Sequence, residues 1–226
     1  MSSSEFLSYV PIFSDLPEET IKLIEKIGTK KMYKKNDVVL MEEEAGTALF
    51  VIINGKVKVA RSSGDGREVI LTILSESDFF GEMAILDGLT RSATVTATED
   101  SELFLIQRND FLNLLREFPE ISISLLQELT KRLRSADAKI KALSLKDAEG
   151  KVATVILQLA DDIGKIKHGR VEIEKLPLQQ DLANMAGTSR ETISRTLHSF
   201  AKKGLIELDG TKLSILDYEK FKEKFI

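Results

Sequence analysis

The sequence contains no cysteine among its 226 residues. This absence excludes disulfide bonds, thiolate zinc sites and cysteine-bound iron–sulfur clusters. The chain also lacks an apolar run long enough to span a membrane. Its first residues, Met1 to Glu5, do not show the basic stretch followed by an apolar stretch that marks a secretory signal. We therefore expect a protein of the cytoplasm that makes no contact with a membrane.

Basic charge is not in excess either, because 32 lysine and arginine residues stand against 36 aspartate and glutamate residues, which gives a net charge of −4. Any surface that binds nucleic acid must therefore be a local basic patch. The sequence also assembles no nucleophile–base pair, carboxylate pair or metal-binding cluster. We therefore expect no enzymatic activity and no metal site.

The chain is long enough for two small domains, and 42% of its residues are hydrophobic. Residues 6–27 predict a helix, with a cap at Asp15 and Pro17 in the first turn. From Thr29 to Leu105, short apolar runs alternate with turn signals. Asn54-Gly55 and Gly64-Asp65-Gly66 predict hairpins between strands. Many short strands at this spacing indicate a β-sandwich or a barrel.

The most informative stretch of this region lies between two of these strands. Gly81 permits close backbone approach, and Glu82 to Leu86 predicts one short helical turn whose free N–H groups attract an anion. Arg91 offers a guanidinium fork to a phosphate, and Ser92 adds a hydroxyl. The carboxylate of Glu82 suits a ligand hydroxyl, so the set predicts a sugar phosphate or a nucleotide. The alternative is that Glu82 and Arg91 only pair with each other and brace the loop.

Residues 109–146 predict a long helix and a hinge, with Pro119 as an early boundary or kink. Its apolar residues recur at the spacing of heptad positions a and d, which is typical of a dimer interface. The predicted interface residues are Leu126, Leu129, Leu133, Ala136, Ile140 and Leu143. Arg132 and Asp137 then have the spacing of an ion pair between two parallel chains. Packing within one chain is the alternative for this stripe.

The last part of the chain predicts a helix-turn-helix. Asp147 is the expected N-cap of a helix over 148–163. Further on, a short helix over 180–186 ends at Gly187, and Thr188 or Ser189 caps the next helix. That helix begins with Arg, Glu and Arg side chains, which suit bases in a DNA major groove. Residues 205–208 and 213–216 predict a wing. A winged-helix module that binds protein is the alternative.

Two motifs carry a resemblance to a known family. Gly-Glu, a short apolar helix and Arg-Ser-Ala resemble the phosphate-binding cassette of cyclic-nucleotide-binding domains. Thr188 to Arg195 resembles the recognition helix of the cyclic-AMP receptor protein and fumarate-nitrate regulator family. The resemblance implies an α+β fold with a cyclic-nucleotide-binding β-barrel (a jelly roll) over 1–108. A long dimerisation helix with its hinge would follow over 109–146, and a winged helix-turn-helix over 147–226.

The resemblance also implies residue roles. Arg91 and Ser92 would hold a cyclic phosphate, and Glu82 would accept a hydrogen bond from the ribose 2′-hydroxyl. The best-known member of the family contacts adenine with a Thr-Ser pair, where this chain has Ala136 and Asp137, and this difference leaves the base selectivity open. The implied effector site consists of Gly81, Glu82, Met83, Ala84, Arg91, Ser92, Arg132, Ala136 and Asp137. The implied DNA contacts are Gln180, Ser189, Arg190, Glu191, Ser194, Arg195 and Lys202.

The function that this resemblance implies is that of a homodimeric transcription regulator controlled by a cyclic nucleotide, with cyclic AMP as the expected effector. Its DNA partner would be a palindrome of TGTGA-like half-sites, and RNA polymerase would be its protein partner. Three alternatives stay open. In the first, the effector would be cyclic GMP. In the second, the protein would bind DNA without a nucleotide or sense another effector. In the third, the chain would be a nucleotide-binding regulatory subunit of a kinase or channel.

Overall fold

The computed structural model describes residues 5–62, 64, 68–167 and 169–225. These residues form two compact units. The first extends to Arg134 but leaves out Glu68–Ile70, and the second contains that short segment and everything from Ser135 onward. The predicted division into 1–108, 109–146 and 147–226 stays a prediction. Among the described residues, no helix combines the length and the apolar character needed to cross a membrane.

The first unit is built from strands framed by helices. After a short 3-10 helix at Glu5–Tyr9, its elements are α1 (Glu18–Ile27), β1 (Thr29–Tyr33), β2 (Val38–Leu40), β3 (Ala48–Asn54), β4 (Val57–Ser62), β5 (Glu68–Leu74), β6 (Phe79–Phe80), α2 (Glu82–Leu86), β7 (Thr94–Ala97), β8 (Ser101–Gln107), α3 (Arg108–Glu117) and α4 (Pro119–Leu145). Part of β5 and the end of α4 belong to the second unit. The predicted break at Pro119 is the first residue of α4.

The helix predicted over 6–27 around a start at Pro17 is correct only in its second part, because α1 begins at Glu18, directly after Pro17. The chain makes the short 3-10 helix and then turns before α1 begins, and α1 has no side-chain cap from Asp15. Leu7, Val10, Ile12 and Phe13 are all buried. A single amphipathic helix cannot turn so many closely spaced apolar residues inward, because its buried stripe recurs every three or four residues. An irregular path buries all four.

In the described part of the chain, the strands of the first unit form two antiparallel sheets in the orders β1-β8-β3-β6 and β2-β7-β4-β5. Strand β3 is buried on both faces. Leu49 and Val51 pack into a core shared with the helices, whereas Phe50 and Ile52 pack into a core shared with the second sheet. The predicted α+β class with an N-terminal β-sheet domain is therefore confirmed.

The hairpin predicted at Asn54-Gly55 is also wrong. Strands β3 and β4 follow each other in the chain but lie in different sheets, so the turn carries the chain from one layer to the other. The connection is fixed by Ser101, whose Oγ accepts a hydrogen bond from the backbone N–H of Lys56 at 3.2 Å. Strands β4 and β5 are neighbours, as the second hairpin requires. Asp65 and Gly66 of that turn lie outside the described residues.

After the end of α4, the elements of the second unit are α5 (Ala148–Ile163), β9 (Lys165–Lys167), β10 (Arg170–Ile173), α6 (Gln179–Ala186), α7 (Arg190–Lys202), β11 (Ile206–Asp209), β12 (Lys212–Ile215) and α8 (Tyr218–Phe225). The helices α5, α6 and α7 and the wing lie where the sequence predicts them, whereas the last helix of the second unit was not predicted. The strands form a sheet in the order β11-β12-β10-β9. Asp147 caps α5 by accepting a hydrogen bond from the backbone N–H of Gly150.

Candidate functional site

The first candidate site lies where β6 meets α2. The pairing of Phe80 in β6 with Phe50 in β3 positions Gly81 at the start of the short helix. Gly81 has a φ of +85°, in the left-handed region that favours glycine. A Cβ at this position would lie 2.8 Å from Arg91 Nη1 and 3.2 Å from the carbonyl oxygen of Ala48. Only glycine therefore lets the guanidinium of Arg91 approach the backbone here.

Arg91 is a buried cation held by neutral groups. Its residue surface is 4% exposed. Nη1 donates to the carbonyl of Gly81 at 2.6 Å, and Nη2 donates to the carbonyl of Ala48 at 2.8 Å. Within the described residues, Nε is buried and has no hydrogen-bond partner. Burial lowers the pKa of Arg91, but an arginine keeps its charge in a protein. A buried charge of this kind is stabilised by a bound anion, and Nε, which has no partner among the described residues, can donate a hydrogen bond to that anion.

Backbone hydrogen bonds fix the loop that carries Arg91. The N–H of Glu43 donates to the carbonyl of Arg91 at 2.9 Å, and the N–H of Arg91 donates to the carbonyl of Glu44 at 2.8 Å. Glu43 itself has a φ of +71°. The position of Arg91 therefore depends on two segments, residues 43–48 and Gly81. Neither the carbonyl of Ala48 nor the loop at 43–44 was predicted, because main-chain acceptors leave no signal in residue type.

Glu82 is the second buried charge of this site. Its residue surface is 4% exposed, and Oε1 accepts a hydrogen bond from Arg132 Nη1 at 3.0 Å. Arg132 Nη2 also donates to the carbonyl of Phe79 at 2.6 Å, and its guanidinium carbon lies 4.3 Å from the centroid of the Phe79 ring. The carboxylate therefore pairs with Arg132 on α4 and not with Arg91, contrary to the bracing alternative. Phe79 is a part of the site that sequence reasoning missed.

The remaining cassette residues surround these charges. Ser92 is exposed, and its Oγ donates to the thioether of Met83 at 3.6 Å. Ala84 is buried. Arg108 donates to the carbonyl of Ile85 from Nε at 3.4 Å and from Nη2 at 3.3 Å, which fixes the C-terminal end of α2. The structure thus brings together all six predicted cassette residues and Arg132.

Ala136 and Asp137 belong to the second unit, where they are exposed on α4. Their assignment to the effector site stays a prediction. The predicted ion pair between Arg132 and Asp137 of two chains also stays a prediction, and in the single chain the guanidinium of Arg132 is engaged by Glu82 and Phe79.

The predicted dimer stripe is largely open to solvent in the single chain. Leu126, Leu133 and Ile140 are 63–65% exposed, and Ala136 is exposed. Leu129 differs, because it packs partly against the core that the first sheet shares with the helices. The side chain of Leu143 lies outside the described residues. Packing within one chain therefore accounts for Leu129 but not for the three exposed apolar residues.

The second candidate site is the outer face of α7. Ser189 caps this helix by accepting a hydrogen bond from the N–H of Thr192 at 3.2 Å. Gly187, in the left-handed conformation, ends α6 and makes the tight turn between the two helices. Because Ile193, Leu197 and Phe200 are buried, the opposite face of α7 is left to solvent. The exposed residues predicted to contact DNA are Gln180, Ser189, Arg190, Glu191, Arg195 and Lys202, and Ser194 is half-buried beside them.

Hydrogen bonds on this face set the chemistry that it presents. The backbone N–H of Glu191, the hydroxyl of Ser189 and the charge of Arg190 hold the pKa of Glu191 below its usual value, so its carboxylate remains an acceptor. The amide of Gln180 donates to Asn184 Oδ1 at 3.0 Å. The carbonyl of Ser194 lies 2.7 Å from His198 Nδ1. The face therefore carries two arginine forks and an ionised acceptor next to a helix N-terminus.

Two family models match the chain. The model of the cyclic nucleotide-binding domain matches residues 30–118, and the model of the Crp-like helix-turn-helix domain matches residues 150–224. The first match includes every predicted effector residue of the cassette. The second match includes every predicted DNA contact.

The chain is also similar to named proteins over nearly its full length. It is 34% identical over 216 residues to the CRP-like cAMP-activated global transcriptional regulator of Mycobacterium tuberculosis, with 96% of each chain covered. It is 34% identical over 198 residues to the cyclic AMP receptor protein of Thermus thermophilus, with 88% of each chain covered. Among solved structures, FixK2 from Bradyrhizobium japonicum has a TM-score of 0.77 and 21% identity, covers 87% of this chain and 96% of its own, and shows the fold alone.

Proposed function

The chain belongs to the family of CRP/FNR-type DNA-binding transcription regulators, and from this membership we propose that it is a homodimer whose DNA binding is controlled by cyclic AMP. The family resemblance predicted from the two motifs is thereby confirmed. Members of the family are transcription regulators and not enzymes, so the proposed function is not catalytic. The alternative of a regulatory subunit of a kinase or channel is set aside by the Crp-like helix-turn-helix match.

The observation that carries the effector proposal is the unpaired Nε of the buried Arg91 guanidinium. A cyclic phosphate is a compact monoanion that accepts from Nε while the two Nη groups keep their backbone partners. Ser92 supplies a second donor when its hydroxyl leaves Met83. Glu82 supplies an acceptor for a ribose hydroxyl, because Arg132 is bonded to one of its two carboxylate oxygens. The residues present therefore fit the nucleotide.

Cyclic AMP is preferred over cyclic GMP on the names of the relatives, which are described as cAMP-activated or as a cyclic AMP receptor. We propose that Ala136 and Asp137 form part of the base contact. Asp137 offers only acceptor oxygens when ionised, and these suit the exocyclic amine of adenine. Ala136 offers no polar side-chain atom, so Asp137 supplies the polar part of this proposed base contact.

The proposed DNA complex follows from the outer face of α7. Arg190 and Arg195 match guanine O6 and N7 bidentately, and Glu191 accepts from cytosine N4. Gln180, Ser189, Ser194 and Lys202 are proposed to contact the backbone or flanking bases. A two-fold dimer presents two such faces and reads a palindrome of TGTGA-like half-sites one helical turn apart. We also propose RNA polymerase as the protein partner and the cytoplasm as the location, on the analogy of the family.

The dimer proposal rests on the exposed apolar residues of α4. Leu126, Leu133 and Ile140 are spaced by seven residues and lie on one face of the helix. A surface stripe of this kind is stabilised when a second copy covers it. Ala136, Leu129 and Leu143 complete the proposed interface.

The test of the proposed function is a titration of a fluorescent palindromic duplex with cyclic AMP, with cyclic GMP and without nucleotide. Anisotropy is expected to show at least tenfold tighter DNA binding with cyclic AMP. Equal affinity in all three conditions would contradict nucleotide control and favour the alternative of a regulator that binds DNA without a nucleotide. In parallel, Arg91→Gln is expected to abolish the response to cyclic AMP and to leave the affinity without nucleotide unchanged.

A further inference from the structure

Lys146 occupies the joint between two helices and reaches a third. It lies between Leu145, the last residue of α4, and Asp147, the N-cap of α5. Its Nζ donates to Thr154 Oγ1 at 2.9 Å and to the backbone carbonyl of Phe225 at the end of α8. The last carbonyls of a helix have no partner within the helix and lie at the negative end of its dipole. The ammonium of Lys146 therefore caps α8 from outside it.

The path of the Lys146 side chain is also fixed. A Cβ on Gly150 would lie 3.0 Å from Lys146 Cβ and 3.2 Å from Lys146 Cδ, so the aliphatic stem rests on the bare backbone of the first turn of α5. The neighbouring Asp147 accepts from the N–H of Gly150 at 2.8 Å. Burial lowers the pKa of Lys146, and repulsion from Lys141 lowers it further. Lys146 and Asp147, the two residues of the joint, are therefore held by side-chain hydrogen bonds to α5 and α8.

The contact continues from α8 to the recognition helix. The ring of Phe225 lies 5.1 Å from that of Phe200 and 5.0 Å from that of Phe221, measured between centroids. Phe200 is fully buried on the inner face of α7. A second link closes the loop, because Lys203 Nζ at the end of α7 lies 2.6 Å from Glu149 Oε1 in the first turn of α5. Within the second unit, the joint, α8 and α7 form one contiguous set of contacts.

We propose that Lys146 is a positioning residue for DNA binding, which holds the α4–α5 joint to α8 and thereby sets the orientation of α7 relative to the end of α4. This inference rests on the proposed function, because it concerns how binding of the nucleotide changes the affinity for DNA. It assigns to the C-terminal helix a part in the response to the nucleotide. Lys146 is not one of the residues proposed to contact the nucleotide or DNA.

The test compares Lys146→Met, Lys146→Arg and Lys141→Met with the wild type. Methionine keeps an aliphatic stem over Gly150 and removes the ammonium, whereas arginine keeps charge and donors. Lys141→Met removes a cation from the exposed part of α4 and controls for the loss of attraction to DNA. Anisotropy of the palindromic duplex is measured with and without cyclic AMP, and calorimetry measures the affinity for cyclic AMP itself.

Lys146→Met is expected to lower the ratio of the DNA affinities with and without cyclic AMP at least fivefold. Lys146→Arg and Lys141→Met are expected to stay within twofold of the wild-type ratio. Partial unfolding would instead lower both DNA affinities in parallel. A ratio for Lys146→Met within twofold of the wild type would overturn the positioning role.

The same measurements distinguish a failure of the proposed function from a failure of the positioning role. A wild-type ratio of one contradicts control by cyclic AMP, and the positioning role is then judged on DNA affinity alone. In that case Lys146→Met is expected to bind the duplex at least fivefold more weakly than Lys141→Met, and equal binding would overturn the inference.

Discussion

Replacement of Gly81 by alanine tests whether the approach of Arg91 to the backbone is what builds the phosphate site. Two penalties act together at this position. The φ of +85° lies in the left-handed region, where a Cβ costs about 1–2 kcal/mol. The same Cβ would lie 2.8 Å from Arg91 Nη1, which must then give up its hydrogen bond to the Gly81 carbonyl.

The second penalty can be separated from the first by a control variant at Gly88, which follows α2 as Gly81 precedes it. Gly88 has a φ of +74°, but its nearest neighbour to an added Cβ is Arg108 Nη2 at an ordinary 3.8 Å. Gly88→Ala therefore carries the backbone penalty alone, about 1–2 kcal/mol. Loss of a hydrogen bond to a charged group adds about 1.5–3 kcal/mol. We expect Gly81→Ala to be destabilised by roughly 2.5–5 kcal/mol in total.

Urea unfolding followed by circular dichroism measures these losses in both variants, and the two substitutions affect the same unit. Calorimetry with cyclic AMP then measures the site itself. We expect the affinity of Gly81→Ala for cyclic AMP to fall at least about tenfold below that of Gly88→Ala, which corresponds to about 1.4 kcal/mol. Equal cyclic-AMP affinity in the two folded variants would refute the reasoning, because the displaced guanidinium would then play no part in binding.

Three further predictions concern the cap, the dimer and an ion pair. Ser189→Ala removes the N-cap of α7 and is expected to lower the free energy of unfolding by about 1 kcal/mol in urea titrations. Leu133→Glu changes a side chain that is 64% exposed in the single chain, so sedimentation is expected to show a folded monomer in place of the proposed dimer. The ammonium of Lys34 and the N–H of Lys35 hold the pKa of Asp100 below its usual value. The stability that this gives is present above the unfolded pKa near 3.9 and is lost as the pH falls through the lower folded pKa, so Asp100→Asn is expected to lower the thermal midpoint at pH 7, by a difference that shrinks as the pH is lowered below about 3.9.

The second unit was predictable from sequence because its signals are local. Asp147 lies three residues from the backbone N–H that it caps, and so does Ser189. Gly187 ends α6 within the turn that it forms. In each case the residue type and its target are set by one turn of helix. The contact of Lys146 with Phe225 joins residues 79 positions apart, and no periodicity in the sequence predicts it.

The first unit shows a different case, in which a turn was predicted correctly but the pairing of the strands on either side of it was not. Asn54-Gly55 does make a turn, yet the strands that it joins lie in different sheets. Turn chemistry specifies the conformation of its own residues. Whether the strands on either side pair with each other depends on which faces are buried, and β3 is buried on both. Strand β3 lies inside its sheet, between β8 and β6, so both of its edges are paired without β4.

The candidate site obeys the same rule, because each of its charged side chains has a hydrogen-bond partner far away in sequence. Residue type and spacing indicated that Arg91 and Glu82 carry the chemistry, and the short helix from Glu82 to Leu86 is where it was predicted. What they did not reveal is that Glu82 pairs with Arg132, 50 positions later, or that Arg91 donates to the carbonyl of Ala48, 43 positions earlier. The two groups to which Arg91 donates are neutral carbonyls, so no hydrogen-bonded carboxylate cancels its charge, and its Nε has no hydrogen-bond partner within the described residues. A carboxylate at either place would have cancelled that charge and left a structural brace.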